Sequence, residues 1–267
     1  NTTKDGDDKD RVLVKSDGHY TYLLPDIAYH NDKFERGFDL LIDLFGADHH
    51  GYVARLKSSQ KDLGHNPDHL VVSLVQMVRL FKNGEEFKMS KRTGNAITMK
   101  ELIEEVGVDS VRYFFVSRSG NSHLDFDIDL AKKLGSENPV YYCQYTHARL
   151  CGIMKNGERF LPEDFSGSML STESEKNLLI LLKSYPDIIL TATKENEPYK
   201  VTNYVHDLST AINEFYTKCR VLDDADVALS KQRLGLVKAC EIVLKNAMNL
   251  IGVNAPDRMT SEEKEAK

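Results

Sequence analysis

Residues 38–51 read Phe38-Asp39-Leu40-Leu41-Ile42-Asp43-Leu44-Phe45-Gly46-Ala47-Asp48-His49-His50-Gly51. The dense apolar run from Phe38 to Phe45, closed by Gly46, predicts a strand. From Tyr52 to Leu63 the apolar residues fall at helical spacing, and the pattern stops at Gly64, a natural C-cap. Strand, glycine turn and helix in succession predict an α/β unit. In open parallel sheets the ligand sits at the C-terminal edge of such a strand, where a glycine lets the backbone approach closely.

Working upstream, Arg11 to Leu24 alternates apolar and polar residues around Ser16-Asp17-Gly18, which predicts a hairpin whose second strand runs into Pro25. Downstream, His69 to Phe81 is a further apolar run, followed by a polar loop from Lys82 to Ala96. Thr98 and Glu101 have the spacing of a capping box, and Gly107 stands where a left-handed C-cap belongs.

Near Leu134 the texture becomes purely helical. Pro139 suits the first turn of a helix running to Asn156-Gly157. The stripes Val201, Tyr204, Leu208, Ile212, Phe215, Cys219, Leu222 and Leu234, Val237, Cys240, Leu244, Met248, Ile251 both demand a partner surface, as in a helical bundle. Lys155 to Ser174 reads as a long surface loop, and Thr260 to Lys267 as a frayed end. The expected fold class is therefore α/β then all-α, divided into residues 1–135 and 136–267.

The 267 residues carry 41% hydrophobic and 28% charged side chains, which excludes disordered, collagen-like and fibrous classes. No apolar run approaches the roughly 20 residues that cross a bilayer. The start lacks both a positive flank and an apolar stretch, so no secretory signal is read there, and the absence of an initiating Met suggests a piece of a longer chain. Cys143, Cys151, Cys219 and Cys240 form no CxxC pair, so reduced cytosolic thiols are expected rather than disulfides or a metal site. Residues 1–135 hold 19 Lys+Arg against 22 Asp+Glu and residues 136–267 hold 16 against 19, so any nucleic-acid partner must be met by local basic patches.

Three stretches carry chemistry. Lys88-Met89-Ser90-Lys91, with Arg92 next and Gly84 and Gly94 on either side, concentrates cations on a glycine-bounded loop, suited to a polyphosphate whose charge grows as a bond breaks. The bland alternative is a solvated basic loop. Gly46 to Gly51 places Asp48 where an acid meets ribose hydroxyls, although an aspartate there also serves as a plain helix cap. Asp26, in the first turn of a helix after Pro25, is favoured there by the helix dipole; with Tyr22 it also offers a carboxylate and a phenol to a planar cation.

The tetrad K-M-S-K is the second signature of class I aminoacyl-tRNA synthetases. Together with TYLLPDIAYH, LFGADHHGY, FKMSKRTGNAITMKELIEEVGVDSVRYFF, LDFDIDLAKKLGSENPVYYCQYTHARL and the ending AMNLIGVNAPDRM, it makes the chain resemble the C-terminal half of a bacterial-type arginyl-tRNA synthetase. The resemblance implies the C-terminal part of a Rossmann-type catalytic domain followed by a helical anticodon-binding domain. It implies ATP-dependent arginine activation and transfer to tRNA(Arg), with Mg2+ accompanying the ATP, in a cytoplasmic enzyme that is monomeric when full length.

Position by position, the resemblance gives Tyr22, Asp26 and His49 to arginine, and Gly46, Asp48 and His49 to ATP. It gives Lys88, Met89, Ser90 and Lys91 to the pyrophosphate loop, and Tyr142, Tyr145, Arg149 and Met259 to tRNA. Three departures accompany it: no HIGH-type motif or N-terminal tRNA-elbow domain is present, eight residues follow Met259, and Lys91 is present where many arginine enzymes lack the second lysine. The missing half implies that this chain alone is inactive. A class I synthetase for another amino acid and a non-catalytic tRNA-binding or scaffold module are the alternatives.

Overall fold

The computed structural model describes residues 1–87, 97–162 and 164–259. It divides into two units, one of residues 1–78 with 120–123 and one of 79–119 with 124–267, a division by contact that differs from the textural one at 135.

In the first unit, α1 (Leu23–Glu35) leads to β1 (Leu41–Gly46), α2 (Tyr52–Asp62) and β2 (Leu70–Val75). The two strands pair in parallel, with Leu41 opposite Leu70 and Gly46 opposite Val75, so α2 is the crossover that a parallel pair requires. Leu41, Leu56 and Leu70 are buried together, with Phe34, Phe45, Tyr52 and Val72 packed against them. Burying one such leucine contributes roughly 1.5–3 kcal/mol. The N-terminal segment is strapped to α2 by Ser58 and Lys61, which both bond Asp5, at 2.7 and 2.6 Å.

Two expectations change here. The Arg11–Leu24 hairpin reduces to one bridge between Val14 and Tyr20, and the chain is already helical at Leu23, with Pro25 inside the first turn, where its missing N–H costs nothing. The run His69–Phe81 is not one element: it ends as β2 at Val75 and resumes as β3 (Val78–Lys82), which belongs to another sheet.

In the second unit β3 turns through Asn83 and Gly84, both at positive φ, into β4 (Glu85–Glu86), a tight hairpin inside the segment read as loop. After residues 88–96 the chain forms α3 (Met99–Val106) and α4 (Val108–Phe115). The Thr98–Glu101 capping box is present in both directions. Gly107 has φ 82° and ψ 155°, so it swings the chain directly into α4 and is not a left-handed cap. β5 (Leu124–Asp127) completes the sheet in the order β4-β3-β5, and α5 (Ile128–Lys132) follows.

The remainder is helical: α6 (Pro139–Asn156), α7 (Glu173–Glu195), α8 (Tyr199–Lys218) and α9 (Val227–Leu250). Asn138 caps α6 and Pro139 occupies its first position. The predicted stripes bury as expected: Leu208, Ile212 and Phe215 of α8, and Leu234, Cys240 and Leu244 of α9, are each at most 2% exposed. The cysteines are free thiols.

Candidate functional site: a carboxylate at a helix start and a basic aromatic cavity

The first site grows from the α1 start and the β1 end. Tyr22, 92% exposed, precedes α1, and its carbonyl accepts from the Asp26 N–H at 3.4 Å, one helical turn on. Tyr52, the first residue of α2, donates its hydroxyl to Asp26 Oδ2 at 2.5 Å. Burial, and then the hydrogen bond and charge of Asp26, push the Tyr52 hydroxyl well above its ordinary pKa, so it stays a donor. The Phe45 ring meets Tyr52 and His49 edge-on, with centroids 6.1 and 6.2 Å away. Asp26, Tyr52, Phe45 and His49 thus form a continuous chain of contacts.

His30 fixes the frame beneath. Its Nδ1 donates to the Asp26 carbonyl at 2.7 Å, and Nε2 lies 2.5 Å from Asp43 Oδ2, tying α1 to β1. A carbonyl oxygen and a carboxylate oxygen both only accept, so the ring is placed to donate from either nitrogen, to Asp26 O and to Asp43. Gly46 ends β1 with extended backbone, and a Cβ there would stand 2.6 Å from Asp48 Oδ1, so glycine lets that carboxylate fold back over the strand end. Asp48 and His49 are both exposed, 3.7 Å apart through Oδ2 and Nε2.

The structure therefore brings Asp26 and His49 into one contact chain, keeps Tyr22 one turn from Asp26, and sets Gly46 and Asp48 on the turn carrying His49. Tyr52 and His30 were missed from the sequence, although Tyr52 lies beside the motif that was singled out. Lys88, Met89, Ser90 and Lys91 lie outside the described residues. Their frame is described: Phe87 N–H donates to Leu80 O at 2.7 Å on one side, and the Thr98 capping box closes the other.

The second site is a cavity of about 870 Å³ in the helical part, lined among others by Tyr145, Arg149, Tyr216 and Met259. The Arg149 guanidinium sits 4.9 Å from the Tyr145 ring centroid and 4.8 Å from that of Tyr216, a cation between two aromatic faces. Lys155, Lys238, Lys245 and Arg258 add positive charge, against Glu241 and Asp257. Five cations against two carboxylates make this a local basic patch on a chain of net charge −6. Tyr142 stands apart, half-buried with its ring 5.7 Å from that of His206. Tyr216, Lys238 and Lys245 escaped the sequence reading because they come from α8 and α9, far along the chain from Tyr145 and Arg149 on α6.

His147, Cys151 and Asp257 bring possible metal donors within 4.8 Å of one another. His147 Nδ1 already donates to Pro256 O at 2.9 Å, and Cys151 Sγ stands almost equally far from both ring nitrogens, 3.7 and 3.9 Å. It is therefore off the lone-pair axis of either nitrogen. Burial, then the charges of Asp257 and Glu241, push the thiol up to about 11. The cluster has the character of packing rather than of a metal centre.

Among the described residues no helix is long and apolar enough to cross a membrane. Residues 143–259 match the DALR anticodon binding domain family. The arginine–tRNA ligase of Bacillus velezensis is 51% identical over 261 residues, 97% of this chain and 47% of that protein. A solved structure described as an arginyl-tRNA synthetase from Campylobacter jejuni aligns with TM-score 0.86 at 34% identity, covering 97% of this chain and 56% of that one. The Thermus thermophilus arginyl-tRNA synthetase shares the fold, with TM-score 0.77 at 19% identity over 93% of this chain and 51% of that one. The chain thus spans about half the length of the curated relatives it matches.

Proposed function

We propose, for a chain that belongs with the arginyl-tRNA synthetases and corresponds to their C-terminal half, that it supplies the arginine pocket, the pyrophosphate loop and the anticodon platform of an ATP-dependent arginine–tRNA ligase. In this reaction the arginine carboxylate attacks the α-phosphorus of ATP, giving arginyl-adenylate and releasing pyrophosphate. The arginyl group then passes to the terminal ribose hydroxyl of tRNA(Arg), releasing AMP.

The observation that carries the reading is the Asp26 carboxylate, held at a helix start by Tyr52. Orienting one carboxylate oxygen through a phenol leaves the other for a guanidinium. In this account Tyr22 and His49 border the arginine, while Gly46, Asp48 and His49 meet the adenosine part of ATP. Lys88 and Lys91, on the loop with Met89 and Ser90, stabilise the leaving pyrophosphate. Mg2+ accompanies ATP as part of that substrate and screens its phosphate charge.

At the other site, Tyr145 offers a ring to the unpaired bases of an anticodon loop, the usual way single-stranded RNA is read, Arg149 beside it supplies charge, and Met259 stands at the rim. Tyr142 belongs to the same proposal from its place on α6, outside the cavity. Residues 1–135 would then be catalytic-domain sequence and 136–267 the anticodon-binding domain. The cytoplasmic location and the monomeric full-length state are part of the same proposal, as is the need for an N-terminal half carrying the first class I signature.

Asp26→Asn tests the carrying observation. A hydrogen bond to a charged group is worth roughly 1.5–3 kcal/mol, so the arginine KM in ATP–pyrophosphate exchange by the complete enzyme should rise about 10- to 150-fold, with the ATP KM little changed. An arginine KM within twofold of wild type would leave Asp26 as a helix-start residue only and point to a synthetase for another amino acid.

A further inference from the structure

The chain leaves α9 through Gly252, at φ 75°, and doubles back. The Val253 N–H donates to Met248 O at 3.0 Å, which closes the helix end. A terminal segment of this kind ordinarily frays unless something ties it down. Here the ties are specific, and they come from α4 and α6.

Arg112 donates from Nε and Nη2 to Ile251 O, at 3.2 and 3.1 Å. The same guanidinium fills the space a side chain at 252 would need, since a Cβ there would meet Arg112 Nε at 2.7 Å. Asp109 Oδ1 accepts from both the backbone N–H and the side-chain amide of Asn254, at 3.1 and 3.0 Å. Its other oxygen accepts from Gln144 Nε2 at 2.8 Å, and that amide also donates to Asn254 O at 3.0 Å. His147 Nδ1 holds Pro256 O at 2.9 Å. Backbone groups of residues 251, 254 and 256 are thus all held, and Asp257, Arg258 and Met259 follow, on the wall of the cavity that contains Arg149.

We propose that Asp109 and Arg112, with Gln144 and His147, are positioning residues for RNA recognition: they latch the returning segment so that Arg258 and Met259 are already in place when RNA arrives. The inference rests on the tRNA-binding reading of the cavity and extends it. The ordering entropy of the segment is met during folding and not on binding, which is how preorganisation raises affinity. Asp109 and Arg112 lie upstream of the matched anticodon-binding region 143–259, so the recognition unit reaches back to α4, which follows α3 directly after the KMSK loop.

Two readouts test the latch in the intact chain. In Asp109→Ala, amide hydrogen exchange of residues 253–259 should speed up at least tenfold while that of the buried α8 and α9 stripes stays unchanged. Binding of a fluorescent anticodon stem–loop of tRNA(Arg), followed by anisotropy, should weaken about tenfold. In an Arg258→Ala/Met259→Ala background, Asp109→Ala should then cost less than twofold, because the groups it positions are gone. Asp109→Asn, which keeps an acceptor for Asn254, should recover most of the affinity.

Unchanged exchange in the segment would overturn the latch. Faster exchange with unchanged RNA affinity, or an equal loss in both backgrounds, would overturn its role in recognition. Wild-type binding no tighter than to an unrelated hairpin, with no effect of Arg149→Ala, would instead sink the tRNA reading of the cavity, and the recognition role with it, while the exchange result still judges the latch.

Discussion

Arg233→Met should lower the stability of the helical part by roughly 3–5 kcal/mol, the usual cost of removing one partner from a buried ion pair. Arg233 Nε bonds Glu175 Oε1 at 2.7 Å, and the Glu175 side chain is wholly buried. The other oxygen of Glu175 accepts from Ser171 and Thr172 N–H at 2.9 and 2.8 Å, so this one carboxylate both closes the α7 capping box and anchors α9. Without Arg233 it is a buried charge facing backbone amides alone. At about 2–4 °C per kcal/mol for a unit of this size, the unfolding temperature should fall by roughly 6–20 °C.

The sign with pH follows from the same contacts. Burial by itself would raise the Glu175 pKa, but the Arg233 hydrogen bond and the donors at Thr172 outweigh it and hold it below the ordinary value. Its contribution is therefore complete above the ordinary glutamate range and is lost as pH falls through the lower folded value. A thermal-melt series should show the gap between wild type and Arg233→Met narrowing in that acid range. The double variant Arg233→Met/Glu175→Gln keeps acceptors for Ser171 and Thr172 without the charge, and should regain most of the loss. No recovery would mean that Arg233 acts through packing or its bond to Arg220 O, also present at 2.9 Å.

Lys88→Ala should reduce kcat for arginine-dependent ATP–pyrophosphate exchange about 100- to 1,000-fold in the complete enzyme, the usual effect of deleting one transition-state charge contact. The arginine KM should move much less, because on the proposed reading the lysine would meet charge that appears only as pyrophosphate leaves. The described residues on either side are held locally: the β3–β4 hairpin turns at Asn83-Gly84, and the α3 start is locked by Thr98 and Glu101. A loss below tenfold would return the tetrad to a solvated basic loop.

What the sequence disclosed and what it withheld divide along physical lines. The stripes of α8 and α9, the Pro139 start and the Thr98 box were legible because each signal lies within one element and depends on local chemistry. α7 was not read, although Thr172 and Glu175 repeat the Thr98 signature; Pro186 interrupts the pattern, and its apolar run Leu178–Leu182 is short. Gly107 was read as a stop where tertiary packing uses it as a corner.

At the sites, motifs revealed individual residues but not their supports. Tyr52 on Asp26, Tyr216 across Arg149 and Asp109 on Asn254 each join positions distant along the chain, and no local period encodes such pairs. The residues that hold a functional group in place were therefore the part that only the structure supplied.

The most direct measurement is arginylation of tRNA(Arg) with ATP and arginine, by this chain alone and by the chain joined to the N-terminal half of an arginyl-tRNA synthetase. The account expects charging by the joined protein, specific for arginine, and none by the chain alone. Charging by the chain alone would contradict the placement of half the active site elsewhere. A joined protein that binds tRNA(Arg) yet never activates arginine would contradict the ligase reading in favour of a binding module.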